Sequence, residues 1–182
     1  MSCTRTLAGL GNACKSSLGG IVEAYFTDAD NVLTATPGGT ADNPNGKITA
    51  FTMAEGTKLY TYKFDENVSN FQSAFSKNNG IGTYANTINL QFKTLEAAKN
   101  VEVSALAEGH TKGIVKTRAG KYFYFGYDGY LTSNDSTTAD TGTNYDDFNG
   151  YNLVLTSNSA YFPFEIDYSL FSDYLEPAPV EA

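Results

Sequence analysis

A mainly β fold, an antiparallel barrel or sandwich with one flanking helix, follows from three observations. The 182 residues carry 13 Tyr, 12 Phe and 17 Gly but no Trp. The aromatic and β-branched residues recur at every second position, the period of a strand with one packed face. Gly-rich and Asn-Gly turn signals cut these runs at short intervals, and only residues 94–108 have the composition of a helix.

Residues 1–19 read as an irregular arm ending near Gly19-Gly20. Ile21 to Thr27 is rich in β-branched and aromatic residues and is expected to be a strand. Residues 28–46 are expected to be loop, because Asp, Asn, Pro37-Gly38-Gly39 and the hairpin signal Asn45-Gly46 crowd there. A second strand is expected over 48–53.

Tyr60, Tyr62 and Phe64 share one face of the next run, opposite Leu59, Thr61 and Lys63. Residues 66–80 continue as a polar strand with Phe71 and Phe75 and end at Asn79-Gly80. Tyr84, Asn86, Ile88, Leu90 and Phe92 then alternate cleanly with Ala85, Thr87, Asn89 and Gln91. The whole of 57–92 reads as one long antiparallel hairpin.

Thr94 is the expected cap of the helix, and Gly109 suits its C-terminal end. Ala98, Val101, Ala105 and Leu106 give the helix an apolar stripe. Two strands over 112–127 turn at Ala119-Gly120. The consecutive Tyr122, Phe123, Tyr124 and Phe125 require both faces of the second strand to be covered, by the core and by a helix or a neighbouring subunit. Residues 131–149, without Lys or Arg, are expected to be a long loop. A strand over 150–156, containing Tyr151, is expected to pair with 160–166. The domain reading is an arm (1–19), one β-rich domain (20–167) and a C-terminal extension (168–182).

The composition, 41% hydrophobic and 18% charged, is that of a globular chain of one domain. Twelve basic against 20 acidic residues give a net charge of −8, which opposes tight wrapping around nucleic acid. No apolar run approaches the roughly 18 residues that a membrane-crossing helix needs. The start, Met1 to Leu10, lacks a continuous apolar stretch, so no secretory signal and a cytoplasmic site of assembly are expected.

Catalysis at neutral pH leans on His, reactive Cys or clustered ligands. This chain has one His and two Cys. His110 lies just past the helix, where a cation is favoured by the dipole. Cys3 and Cys14 lie outside any usual zinc spacing and read as reduced thiols or, alternatively, as a late disulfide. Asp28, Asp30 and Asn31 could begin a calcium loop, but the Gly and distal Glu it requires are missing. Asp135, Asp140, Asp146 and Asp147 could pair as acid and base, though nothing in the sequence buries one of them. Gly9-Leu10-Gly11 precedes no helix and supports no phosphate loop. No enzyme activity, metal or cofactor is expected.

The order of these elements resembles the tail tube (major tail) proteins of tailed bacteriophages, of the kind found in phages of Bacteroidetes hosts. The resemblance rests on several motifs in turn: the two-Cys arm before Gly19-Gly20-Ile21-Val22, the hairpin returning through 83–92, the single helix, Phe125-Gly126-Tyr127-Asp128-Gly129-Tyr130-Leu131-Thr132, and Asn149-Gly150-Tyr151-Asn152-Leu153-Val154-Leu155-Thr156. It covers most of residues 14–167, and the chain departs from it beyond Asp167. It implies a virion structural protein that self-assembles into stacked, hexameric rings with an inner β-barrel. Its partners would be copies of itself and other tail proteins, with DNA passing through the lumen without specific binding and no membrane. On this resemblance Val68, Phe71, Phe75, Asn78, Asn79, Ile81 and Tyr84 are the expected inter-subunit contacts. Tyr122, Phe123, Tyr124, Phe125 and Tyr151 are the expected core or interface aromatics. An acidic lumen would repel phosphates. The alternatives are another virion part, such as a head decoration, adaptor or ring protein, or a carbohydrate-binding β-sandwich.

Overall fold

A computed structural model describes residues 18–40, 43–65 and 68–177. Cys3, Cys14 and most of the N-terminal arm lie outside them. Two sheets and one helix make up the protein. Eight strands form the larger sheet: β1 (Ile21–Asp28), β2 (Val32–Thr40), β3 (Asn43–Met53), β4 (Leu59–Lys63), β7 (Thr111–Thr117), β8 (Tyr122–Phe125), β12 (Phe164–Ile166) and β13 (Leu175–Glu176). Their spatial order is β13-β4-β1-β7-β8-β12-β3-β2. The smaller sheet contains β5 (Asn70–Asn78), β6 (Ile81–Lys93), β9 (Thr132–Ser133), β10 (Thr138–Asp140) and β11 (Gly150–Ser159). Its order is β10-β11-β6-β5, with β9 beside β10 on the same edge of β11. The helix α1 is Ala97–Glu108.

The central strands of the large sheet are buried on both faces, because two cores flank it. Ala24, Phe26, Val115 and Phe125 point into the first core, where they meet Ile88, Leu90, Leu153 and Leu155 of the small sheet. Tyr25, Ile114 and Tyr124 point the other way, into a second core with Ile48, Phe51, Leu59 and Phe171. The large sheet curls around this second core as a half-barrel. The four consecutive aromatics of β8 therefore divide between the cores. Phe123 and Phe125 serve the first, and Tyr122 and Tyr124 the second. Two short 3-10 helical turns, Tyr168–Leu170 and Ser172–Tyr174, cover the second face. That cover comes from the chain end, where Tyr168, Phe171 and Tyr174 form ring contacts with Tyr122, Tyr25 and Phe51. Phe171 is fully buried, worth roughly 2–3 kcal/mol of apolar transfer. β13 then adds to β4 as a parallel strand. The stretch read from the sequence as an extension is thus packed, through Glu176, into the second core.

Four local expectations are corrected. Most of 28–46 is strand rather than loop, since 32–40 pairs as a hairpin with β3, which begins at 43 and includes the expected strand 48–53. Pro37 is tolerated because β2 is an edge strand, where its missing N–H breaks no second ladder, and register shifts flank it. Residues 57–65 are not part of the long hairpin. β4 pairs with β1 in the large sheet, and the hairpin is β5–β6 alone. Residues 131–149 contain β9 and β10, which pair with β11. Finally, 164–166 pairs with β8 and β3 rather than with β11, so the chain changes sheets at 160–163.

The helix also differs in detail. Thr94 does not cap it. The residue adopts a left-handed conformation (φ 68°) and donates its N–H to the Asn149 carbonyl, and the helix begins three residues later. Val103 and Leu106 face the core, whereas Val101 is exposed. Of the expected stripe Leu106 is buried, while Ala98 and Ala105 are exposed like Val101. Among the described residues no helix is long and apolar enough to cross a membrane.

Candidate self-assembly surface

Among the described residues β5 is an edge strand of the small sheet, and it pairs with β6 over nine rows. The two-residue turn between them is Asn79-Gly80, both with positive φ (49° and 83°), flanked by the pair Asn78 and Ile81. Such a turn matches the natural strand twist and needs residues that accept φ > 0. The segment from Val68 to Phe92 has a single charged residue, Lys77, in a chain of net charge −8. Edge strands usually carry charges that discourage pairing with another chain. β5 carries one such charge, Lys77, next to its tip.

The inward face of the hairpin passes through three zones. Phe71 and Ile88 sit opposite each other in the first core, where Phe71 packs edge-on against Phe125 at 5.2 Å. Ser73 and Asn86 form the next row. Asn86 is buried and donates to Ser157 Oγ at 3.4 Å, while Ser73 Oγ and Asn86 Oδ1 are buried without a partner. Phe75 and Tyr84 form the third row, with rings 5.0 Å apart, and Phe162 lies 4.2 Å from Tyr84. Here the stripe has left the interior. Phe75 is 56% exposed, Phe162 56% and Ile81 69%. Fully burying each such side chain is worth about 1.5–3 kcal/mol.

Of the residues expected at contacts between subunits, Phe75, Ile81, Asn78 and Asn79 are exposed at or near the tip, and Tyr84 is half-buried beside them. Val68 is half-buried ahead of β5, far along the strand from the tip. Phe71 is half-buried, packed against the first core with its ring 5.6 Å from Phe123, and it also lines the groove beside Leu18 and Gly20. Tyr124, Phe125 and Tyr151 are buried, and Tyr122 and Phe123 are half-buried. Tyr151 lies beneath the start of α1, its hydroxyl donating to the Glu96 carbonyl at 3.4 Å. Phe162 was not anticipated. The signal was the Tyr161-Phe162-Pro163 run, an aromatic pair stopped by a residue that cannot extend a ladder.

Several of the polar candidates are engaged in local structure. Asp147 accepts the N–H groups of Thr143 and Asn144 at 2.8 and 2.7 Å, and these bonds hold its carboxyl below the ordinary range. Asp140 accepts from the Gly142 N–H at 2.8 Å. Asn31 donates to Thr27 Oγ1 at the turn after β1. His110 stacks on Tyr130 at 4.1 Å just past α1. Among the described residues no group of three His, Cys, Asp or Glu converges as a metal site. A shallow groove of about 340 Å³ beside Phe71 is lined by Leu18, Gly20, Thr117, Lys121 and Phe123.

Comparison of the chain with protein-family models, with curated proteins and with solved structures finds no match. The functional reading therefore rests on the geometry of this surface.

Proposed function

We propose that the chain is a self-assembling structural subunit of a phage tail tube, forming rings that stack into a hollow conduit for DNA. The observation that carries the reading is the β5–β6 hairpin, which has few charges and whose core stripe emerges as the cluster Phe75, Tyr84 and Phe162, with Ile81 exposed on the opposite face. An edge with a single charge and an apolar tip invites pairing with another chain.

The direction of the strands supports copy-to-copy closure. β5 is antiparallel to β6, β6 to β11, and β11 to β10. The two edges of the small sheet thus run in opposite directions. A neighbour's β10 edge placed beside β5 continues an antiparallel ladder, and repetition around a ring closes the sheet into a barrel without edges. The hexameric ring, the other tail proteins as partners and the virion as location belong to this proposal.

The test is negative-stain electron microscopy of purified protein over a concentration series. Hollow tubes or stacked rings are expected. Rings that never stack would assign the chain to a head decoration, adaptor or ring protein instead. A monomer at every concentration, with and without a tail-tip initiator complex, would sink the assembly reading.

A further inference from the structure

The outward face of the small sheet has a chemistry unlike the rest of the molecule. Residues directly opposite in the ladder share a face, so Asn70, Gln72, Thr87, Asn89, Gln91 and Thr156 all point away from the first core. The other outward positions in the rows from Thr83 to Gln91 are Ala, Ser, Thr, Asn or Val. No charged and no aromatic side chain lies on these rows. The charged outward positions, Lys93 and Asp140, are confined to the terminal row beside Gly150, where Lys93 is paired with Asp65 at 2.6 Å.

The amides and hydroxyls also satisfy one another. Asn89 Nδ2 donates to Asn70 Oδ1 at 2.8 Å, and Gln91 Nε2 donates to Asn152 Oδ1 at 3.0 Å. Ser76 and Thr83 share a hydroxyl hydrogen bond at 3.1 Å. Cross-strand pairing holds these side chains along the sheet and uses donors that would otherwise seek a ligand. The face is hydrated and neutral, with part of its hydrogen-bonding capacity already spent.

We infer that this face is the wall past which duplex nucleic acid moves, and that it resists adhesion by neutrality rather than by acidic repulsion. The inference rests on the tube reading, in which the sheet closes around the lumen, and it replaces the expected acidic lumen with an uncharged one. Affinity for a duplex comes chiefly from neutralised phosphates and falls with salt. A wall without Lys or Arg offers no such contacts. A wall without Asp or Glu creates no repulsive field either, so passage is insensitive to ionic strength.

The experiment uses assembled wild-type tubes and Thr87→Lys tubes, a short fluorescent DNA duplex and a nuclease. Wild-type tubes are expected to retain no duplex at low or high salt. Thr87→Lys tubes are expected to retain duplex that is protected from nuclease, at least about tenfold above wild type, and to release it as salt rises. Thr156→Lys, on the neighbouring strand, serves as the second variant if Thr87→Lys fails to assemble. Salt-dependent retention by wild-type tubes would overturn the inference. So would lysine tubes whose bound duplex is fully digested, because the face would then lie outside. Both results leave the tube reading intact, whereas failure of the wild-type protein to assemble would remove the tube reading and this inference together.

Discussion

Phe75 and Tyr84 face each other across β5 and β6 with ring centroids 5.0 Å apart, on the same sheet face as the half-buried Phe71 and the buried Ile88, two rungs further out. The same alternation that builds the core continues where no core remains to cover it. Phe75 is consequently exposed and outside both cores, and the assembly proposal makes it an interface side chain. Replacing it with Ser removes one exposed aromatic pair, worth about 0.5–1.5 kcal/mol. Phe75→Ser is expected to unfold within a few degrees of wild type while its tubes or rings are lost. Thermal unfolding and light scattering on the same samples check both halves.

The tip can be removed without entering the core. Ala74 and Ala85 are directly opposite in the ladder. Joining them through a new Asn-Gly turn deletes the third row and keeps the turn geometry. This shortened chain is expected to fold and to give protomers or single rings that do not stack. Stacked tubes of normal length, seen by electron microscopy, would refute the role assigned to the tip.

Phe171 ties the chain end to the second core through ring contacts with Tyr25 at 5.5 Å and Tyr122 at 5.4 Å. It is completely buried. Phe171→Ala is expected to cost about 3–5 kcal/mol, the usual range for removing a buried Phe. Urea unfolding monitored by tyrosine fluorescence measures it, and a loss below about 1 kcal/mol would mean that the C-terminal segment does not plug the half-barrel.

Gly113 on β7 stands against the ring of Phe26 on β1, and a Cβ there would collide with Phe26 Cδ1 and Cε1. The ring is fully buried and has no free direction in which to move. Gly113→Ala is expected to destabilise by about 1–3 kcal/mol through overpacking. The companion Gly113→Ala/Phe26→Leu variant is expected to recover part of that loss, which denaturant midpoints would reveal.

Glu23 contributes an acid-sensitive increment. Burial pushes its carboxyl up, but hydrogen bonds from Tyr25 at 2.7 Å and Lys116 at 3.0 Å, with the charges of Lys116 and Lys63, outweigh that and leave it below its ordinary value of 4.5. Its bonds to Glu23 in turn push the Lys116 ammonium up. A lowered carboxylate stabilises fully above its unfolded value and loses that contribution as pH falls through the folded one. Wild type is therefore expected to exceed Glu23→Gln in melting temperature near neutrality, with the gap closing below about pH 4.5. A gap that persists unchanged at pH 3 would contradict this account.

Much of the smaller sheet was readable along the chain. The alternation of Tyr84, Asn86, Ile88, Leu90 and Phe92 with Ala85, Thr87, Asn89 and Gln91 assigns every β6 side chain to a face, and Asn79-Gly80 locates the turn. Phe71 and Phe75 read identically, because alternation marks a face but not where along the strand its cover ends. Phe162 escaped for a related reason, since it approaches Tyr84 only after the chain crosses between sheets.

The sequence by itself determined the mainly β character, the single helix and the two faces of each alternating strand, all local consequences of side-chain period and turn chemistry. Only the tertiary structure decided which strands pair. It took β4 from the long hairpin to β1, turned the Pro-containing 32–40 into an edge strand, sent 164–166 to the larger sheet, and seated Phe171 in the second core. Those choices depend on contacts between residues distant in the chain, where burying one face of a strand depends on what the rest of the molecule brings against it.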